Sequence, residues 1–203
     1  KLNNRDSWKN LKELASSLKN QGVFSSFYFL VKQGKAANGR LNADYRFEDR
    51  YFREVIPALN QEGFETGLHG SFGTHTDENL LREEMQQCRF FSGGLRFHYL
   101  CFDPQKTVEV LEKAGVRYDS TLGFAEMPGF RHGYCLPFYL WNFYRQRPSS
   151  VIEIPLVVMD NSLFARKYQN WNNEQALACL TGLYQEVKKA GGIMSILWHN
   201  DRW

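Results

Sequence analysis

From Val23 to Trp198 the chain alternates short apolar runs, rich in aromatic and β-branched residues, with segments whose apolar residues recur every three or four positions. The first pattern reads as a strand, the second as an amphipathic helix. Strands are expected over Val23 to Val31, Phe64 to Leu68, Leu95 to Leu100, Arg117 to Leu122, Val151 to Met159 and Ile193 to Trp198. Helices are expected over Phe47 to Asn60, Asp77 to Arg89, Pro104 to Ala114 and Glu174 to Lys189. A further helix at the start places Trp8, Leu11, Leu14, Ala15 and Leu18 on one face, behind Asp6 and Ser7 as N-caps. Glycines at 22, 63, 115 and 191 close four of these helices. Strands separated by whole helices build βα units around a parallel sheet, either open or closed into a barrel.

The periodicity also predicts which faces turn inward. Leu80, Leu81, Met85 and Cys88 share one helix face, and Leu177, Leu180, Tyr184 and Val187 share another. Pro57 is expected to kink or split its helix, and Pro155 marks an edge or a bulge. The 203 residues are 43% hydrophobic, which suits one core and a single domain over 1–203. A net charge of +3, without any basic stripe, excludes a nucleic-acid footprint. No stretch approaches the roughly 18 apolar residues of a membrane helix. Lys1 to Asn4 have no leader-like apolar character either, so a soluble, cytoplasmic protein without a membrane span is expected. Four scattered cysteines lack any C-x-x-C pair and read as reduced thiols. Aromatic residues make up 15% of the chain, which fits a thick core or a cleft that stacks on sugar rings. Nothing in the sequence fixes an oligomeric state.

In a parallel α/β fold, ligands meet the carboxyl ends of the strands. Two of the five histidines, His69 and His199, stand there, where an imidazole can bind a metal or move a proton. Asp160 also follows a strand. Alternation puts Arg96 and His98 on one face of their strand, opposite Leu95, Phe97 and Tyr99, and puts Asp119 in line with Arg117 and Thr121. Arg96 on an inner face needs a carboxylate neighbour, with Asp119 and Asp160 as candidates. Asp119 is further a candidate base or ligand. The loop from Gly123 to Pro137 is long enough to be a lid or binding loop. Phe130, Arg131, His132 and Tyr134, with Phe138 and Tyr139 beside the loop, are its candidate ligand contacts, joined by His98, Asp160 and Trp198.

The segments GLHGSF, LRFHYL, YDSTLGFAEMPGFRHG and ILWHN, in this order and spacing, resemble a divergent branch of the polysaccharide deacetylase family, the NodB-homology domain of carbohydrate esterase family four. The resemblance runs from Val23 nearly to the end. It implies a distorted (β/α) barrel of about seven strands. It implies also a metal-dependent hydrolase that removes acetyl groups from a sugar of a bacterial surface polysaccharide or its precursor, with zinc as the expected divalent ion and an acetylated saccharide as partner. By that resemblance His69 is the first metal-binding histidine, Arg96 orients the catalytic carboxylate and His199 donates a proton to the leaving group. The family's second metal histidine lies four residues after the first. Gly73 stands there, and a loop two residues longer makes His75 the expected second ligand. The family's first motif, an Asp-Asp strand, has no counterpart. It is expected upstream of residue 1, or else the base is lost and the domain is a non-catalytic carbohydrate-binding or scaffold barrel.

Overall fold

In a computed structural model that describes residues 9–202, the strand-helix alternation is realised as two ladders. The chain runs α1 (Leu11–Asn20), β1 (Ser26–Phe29), α2 (Arg50–Gln61), β2 (Glu65–Gly70), α3 (Glu78–Gln87), β3 (Gly94–Phe97), α4 (Thr107–Ala114) and β4 (Tyr118–Asp119). It continues with β5 (Phe138–Asn142), β6 (Arg147–Glu153), β7 (Leu156–Met159), α5 (Asp160–Phe164), α6 (Asn173–Ala190) and β8 (Ser195–Leu197). One sheet has the order β1-β2-β3-β4-β6-β5, parallel except for β5, and the second pairs β7 with β8 in parallel. The fold is thus α/β with a mostly parallel sheet. The expected closed ring of about seven strands is not formed by the described ladders, which hold eight strands in two separate sheets. The N-caps expected at Asp6 and Ser7, with Trp8, lie outside the described residues.

Local chemistry sets the boundaries. The Asp77 carboxylate accepts from the amides of Asn79 and Leu80 and starts α3. Asn172 and Gln175 form a reciprocal capping box at α6. Gly115 and Gly191 close α4 and α6 in the left-handed region, at φ 78° and 65°. Pro57 neither splits nor ends α2, which runs unbroken to Gln61. Pro155, by contrast, divides what reads as one strand from Val151 to Met159. It has no amide to donate, and the chain crosses there from β6 in the first sheet to β7 in the second. The helix expected from Pro104 begins only at Thr107, after a turn. A hairpin, β5–β6, occupies a stretch whose first half reads as no regular element.

The main core gathers Leu68, Leu95, Phe97, Leu81, Leu111 and Val151 between the sheet and α3–α4, and a second cluster packs α1 and α2 on Phe27 and Phe29. Two expected faces are corrected. Leu80 is 41% exposed, and Glu84 takes the inward place because its carboxylate accepts the Ser71 amide just beyond β2. On α6, Ala176 and Val187 are buried while Leu177 and Tyr184 face outward, since this helix covers only a two-stranded sheet. Ile196 and Trp198, in the expected last strand, are exposed for the same reason: β8 is an edge.

Gly94 shows how closely the sheet floor is packed. A Cβ there would stand 2.0 Å from Cζ of Tyr118. The ring cannot move aside, because its hydroxyl donates to Glu65 Oε2 and meets the Tyr28 hydroxyl at 3.0 Å. Gly94→Ala is therefore expected to destabilise the fold by about 1–3 kcal/mol. The check is a lowered urea midpoint at unchanged slope.

Candidate functional site

The carboxyl ends of β1, β2, β3 and β8 open onto one cleft of about 490 Å³, whose lining includes Tyr28, Asp44, His69, Arg96, His98 and His199. His69 lies inside β2, which extends two residues past the expected Leu68, in register with Arg96 on β3. Its Nδ1 is 2.8 Å from the Arg96 carbonyl oxygen, which can only accept, so Nδ1 carries the hydrogen. The lone pair of Nε2 is left facing the cleft, 3.1 Å from Nδ1 of His98.

His98 reaches the cleft by a different route from the alternation expected of it. The strand stops at Phe97 and a tight turn follows, with Tyr99 and Leu100 both left-handed at φ 58° and 53°. Two adjacent non-glycine residues in that region cost about 1–3 kcal/mol each and persist only when their surroundings hold them. Here the Tyr99 hydroxyl donates to the Leu41 carbonyl at 2.9 Å, and Arg40 sits over the rings of Phe72 and Tyr99. The His98 Nε2–H donates to the same Leu41 carbonyl at 3.0 Å.

On the far wall, His199 follows β8. Its amide donates to Oδ2 of Asp160 at 3.1 Å and its Nδ1–H to Oδ1 at 2.7 Å. Asp160 begins α5 directly after β7 and is wholly buried. Parallel pairing of β7 with β8 brings the two residues together. Asp160 thus orients His199 and does not itself line the cleft.

Arg96 lines the cleft but is not held by a carboxylate. Its Nε donates to the Ser120 carbonyl at 2.7 Å and its Nη2 to the Ser120 hydroxyl at 2.8 Å, with the guanidinium over the Tyr28 ring. Asp119 does not line the cleft. It is sealed beneath, accepts from the Thr121 hydroxyl and interacts with the equally buried Glu153, a residue not singled out in the sequence. Other expected site residues lie elsewhere. His75, on a turn after β2, packs against Phe72 and Phe97 and does not line the cleft with His69. Arg131 donates to the Gly123 carbonyl, Tyr134 packs on Phe138, and Trp198 packs edge-on against Phe164. None of the three lines the cleft. Asp44, in the segment between β1 and α2, does line it, and no periodic signal marks it.

Electrostatics follow from burial. Desolvation, reinforced by His98 and Arg96, holds the His69 imidazole well below the usual histidine range. Burial lowers His98 as well. Burial raises Asp119 to about 6 and Glu153 well above the ordinary glutamate value, the charge of Asp119 adding to the second shift. Among the described residues no group of three or more histidine, cysteine, aspartate and glutamate side chains is arranged around a common metal position. No helix is long and apolar enough to cross a membrane.

These features define an α/β protein with a histidine-lined cleft at the carboxyl ends of its parallel strands. No protein-family model and no curated protein matches the sequence. Two solved structures share the fold. A provisionally assigned polysaccharide deacetylase from Mycobacterium smegmatis aligns with a TM-score of 0.65 at 16% identity, over 96% of this chain and 65% of that one. An allantoinase aligns at 0.59 and 18%, over 97% and 60%. The chain therefore spans less than two thirds of the length of either structure.

Proposed function

We propose that this protein is a divalent-metal-dependent hydrolase that removes N-linked or O-linked acetyl groups from a sugar of a bacterial surface polysaccharide or its precursor. The observation that carries the reading is the placement in one cleft of His69, with its Nε2 lone pair free, and His199, oriented by a buried carboxylate. The fold likeness to a polysaccharide deacetylase supports it. His69, its ring fixed by the Arg96 carbonyl, is a nitrogen donor suited to zinc or a similar ion. Such an ion, when bound, supplies polarisation of the acetyl carbonyl and a water acidified toward neutrality.

The remaining work falls to side chains of the chain. With Nδ1–H committed to Asp160, His199 presents Nε2 to the cleft and, protonated, gives that proton to the departing nitrogen or oxygen. The Asp160 carboxylate stabilises the imidazolium and fixes its direction. Aromatic walls, Tyr28, Phe29 and Tyr45 among them, suit the apolar faces of a sugar ring.

One observation favours a second reading, a carbohydrate-binding domain without catalysis. Asp44, an exposed residue, is the one acidic side chain among those lining the cleft, while Asp119 is sealed below it. The deciding experiment measures acetate released from N-acetylated and O-acetylated oligosaccharides, with and without a chelator. Release that stops on chelation and returns with zinc is the expected result. Saccharide binding without release under any metal condition would establish the second reading instead.

A further inference from the structure

Two hydrogen bonds fix the tautomers at the cleft floor. The His69 Nδ1–H is given to the Arg96 carbonyl, and the His98 Nε2–H to the Leu41 carbonyl. A carbonyl oxygen accepts and never donates, so neither assignment can be reversed. The remaining nitrogens, Nε2 of His69 and Nδ1 of His98, face one another at 3.1 Å. In two neutral rings both carry lone pairs, and neither has a hydrogen to offer the other. Two lone pairs at hydrogen-bond distance repel unless something positive stands between or beside them. A metal cation satisfies both nitrogens at once.

We propose that Nε2 of His69 and Nδ1 of His98 form a two-nitrogen seat for a zinc-class divalent cation, with His98 and not His75 as the second ligand. The spacing suits the task. Two nitrogens each about 2.0–2.1 Å from one ion stand roughly 2.8–3.4 Å apart between octahedral and tetrahedral angles. The surroundings agree independently, because histidines that bind metal nearly always donate their other N–H to a carbonyl or carboxylate, which fixes the ring and raises its basicity. Both rings do this, each to a backbone carbonyl. His98 follows directly on the end of the strand at Phe97, and its ring meets that of His69 with centroids 5.0 Å apart and planes at 76°. His75 is held by Phe72 and Phe97 and makes no such approach.

This site deepens the hydrolase reading, but its test reads metal and not turnover. Metal-free protein is titrated with Zn²⁺ and Co²⁺ by calorimetry and by the visible absorption of bound cobalt. One equivalent is expected to bind. His98→Gln is expected to weaken binding at least tenfold and to change the cobalt spectrum, as is His69→Gln, while His75→Gln leaves both unchanged. Binding by His98→Gln equal to that of the unaltered protein, or an equal loss in His75→Gln, would overturn the assignment. Should a variant fail to fold, pulsed electron paramagnetic resonance of Cu²⁺ in the unaltered protein decides. Two coupled imidazoles support the seat, and fewer than two, or no stoichiometric binding, refute it. A protein that binds one cation through these rings yet releases no acetate would retain the site and lose the proposed reaction.

Discussion

Asp160→Asn is expected to lower acetate release by about 10²- to 10⁴-fold while leaving saccharide binding nearly unchanged, the magnitude that a positioned general acid supplies. Asp160 is sealed from solvent and touches the cleft only through His199, so its removal takes no contact from a bound sugar. What it changes is the imidazole. The carboxylate now accepts the Nδ1–H at 2.7 Å and so leaves Nε2 as the atom that exchanges protons with the cleft. An asparagine can turn its amide toward the ring and donate to Nδ1, which reverses the tautomer and withdraws the negative charge from any imidazolium. The variant should fold, since either side chain can still accept the amide of His199. His199→Gln should show the same loss in kcat with little change in KM. A twofold effect in both variants would remove this pair from the chemistry.

Much of this architecture is legible in the sequence, for reasons that also explain what is not. The βα order is visible because each strand is apolar along its length and each helix has its own period and glycine stop, all properties of neighbouring residues. The β5–β6 hairpin is not. Its outward residues, Tyr139 and Trp141, are aromatic, so the alternation with buried Leu140 and Asn142 does not read as polar against apolar. It is held from outside by Arg145 and Arg147 paired with Glu109 and Glu112 on α4. In the site, His69 and His199 are found because they end apolar runs, whereas the partners that give them meaning are set by long-range pairing. Asp160 meets His199 only because β7 lies beside β8. His98 meets His69 because β2 and β3 pair in register, and its ring is fixed by the carbonyl of Leu41, far away in sequence. His75 is near His69 in sequence but lies on the other side of a loop that turns its ring toward Phe97.

Arg96→Met is expected to cost about 3–5 kcal/mol of stability, the range for removing one partner from a buried charged network. The loss should be larger at pH 8 than at pH 5. Arg96 is almost wholly buried, and its two hydrogen bonds go to Ser120, so methionine fills the space but leaves that carbonyl and hydroxyl short of a donor. Its charge also lowers the cost of ionising the buried Asp119 and Glu153. These two carboxyl groups interact, and Oδ2 of the first and Oε2 of the second receive no donor from elsewhere, so a proton held by one is the donor that the other lacks. In the unfolded chain both ionise near ordinary values of about 3.9 and 4.3. In the fold Asp119 holds its proton to about 6 and Glu153 to higher pH. The native state therefore binds more protons through this window, and stability falls as pH rises through it. Without the guanidinium the pair keeps its proton to still higher pH, so the penalty at pH 8 grows. Glu153→Gln removes one of the two charges and keeps an acceptor for the Leu122 amide, which Oε1 now takes at 2.9 Å. Added to Arg96→Met, it should restore part of the stability at pH 8 and little at pH 5. Urea midpoints of the single and double variants at the two pH values measure this directly. Equal losses for Arg96→Met at both would show that its hydrogen bonds to Ser120, and not its charge over the buried carboxyl pair, hold this layer of the fold together.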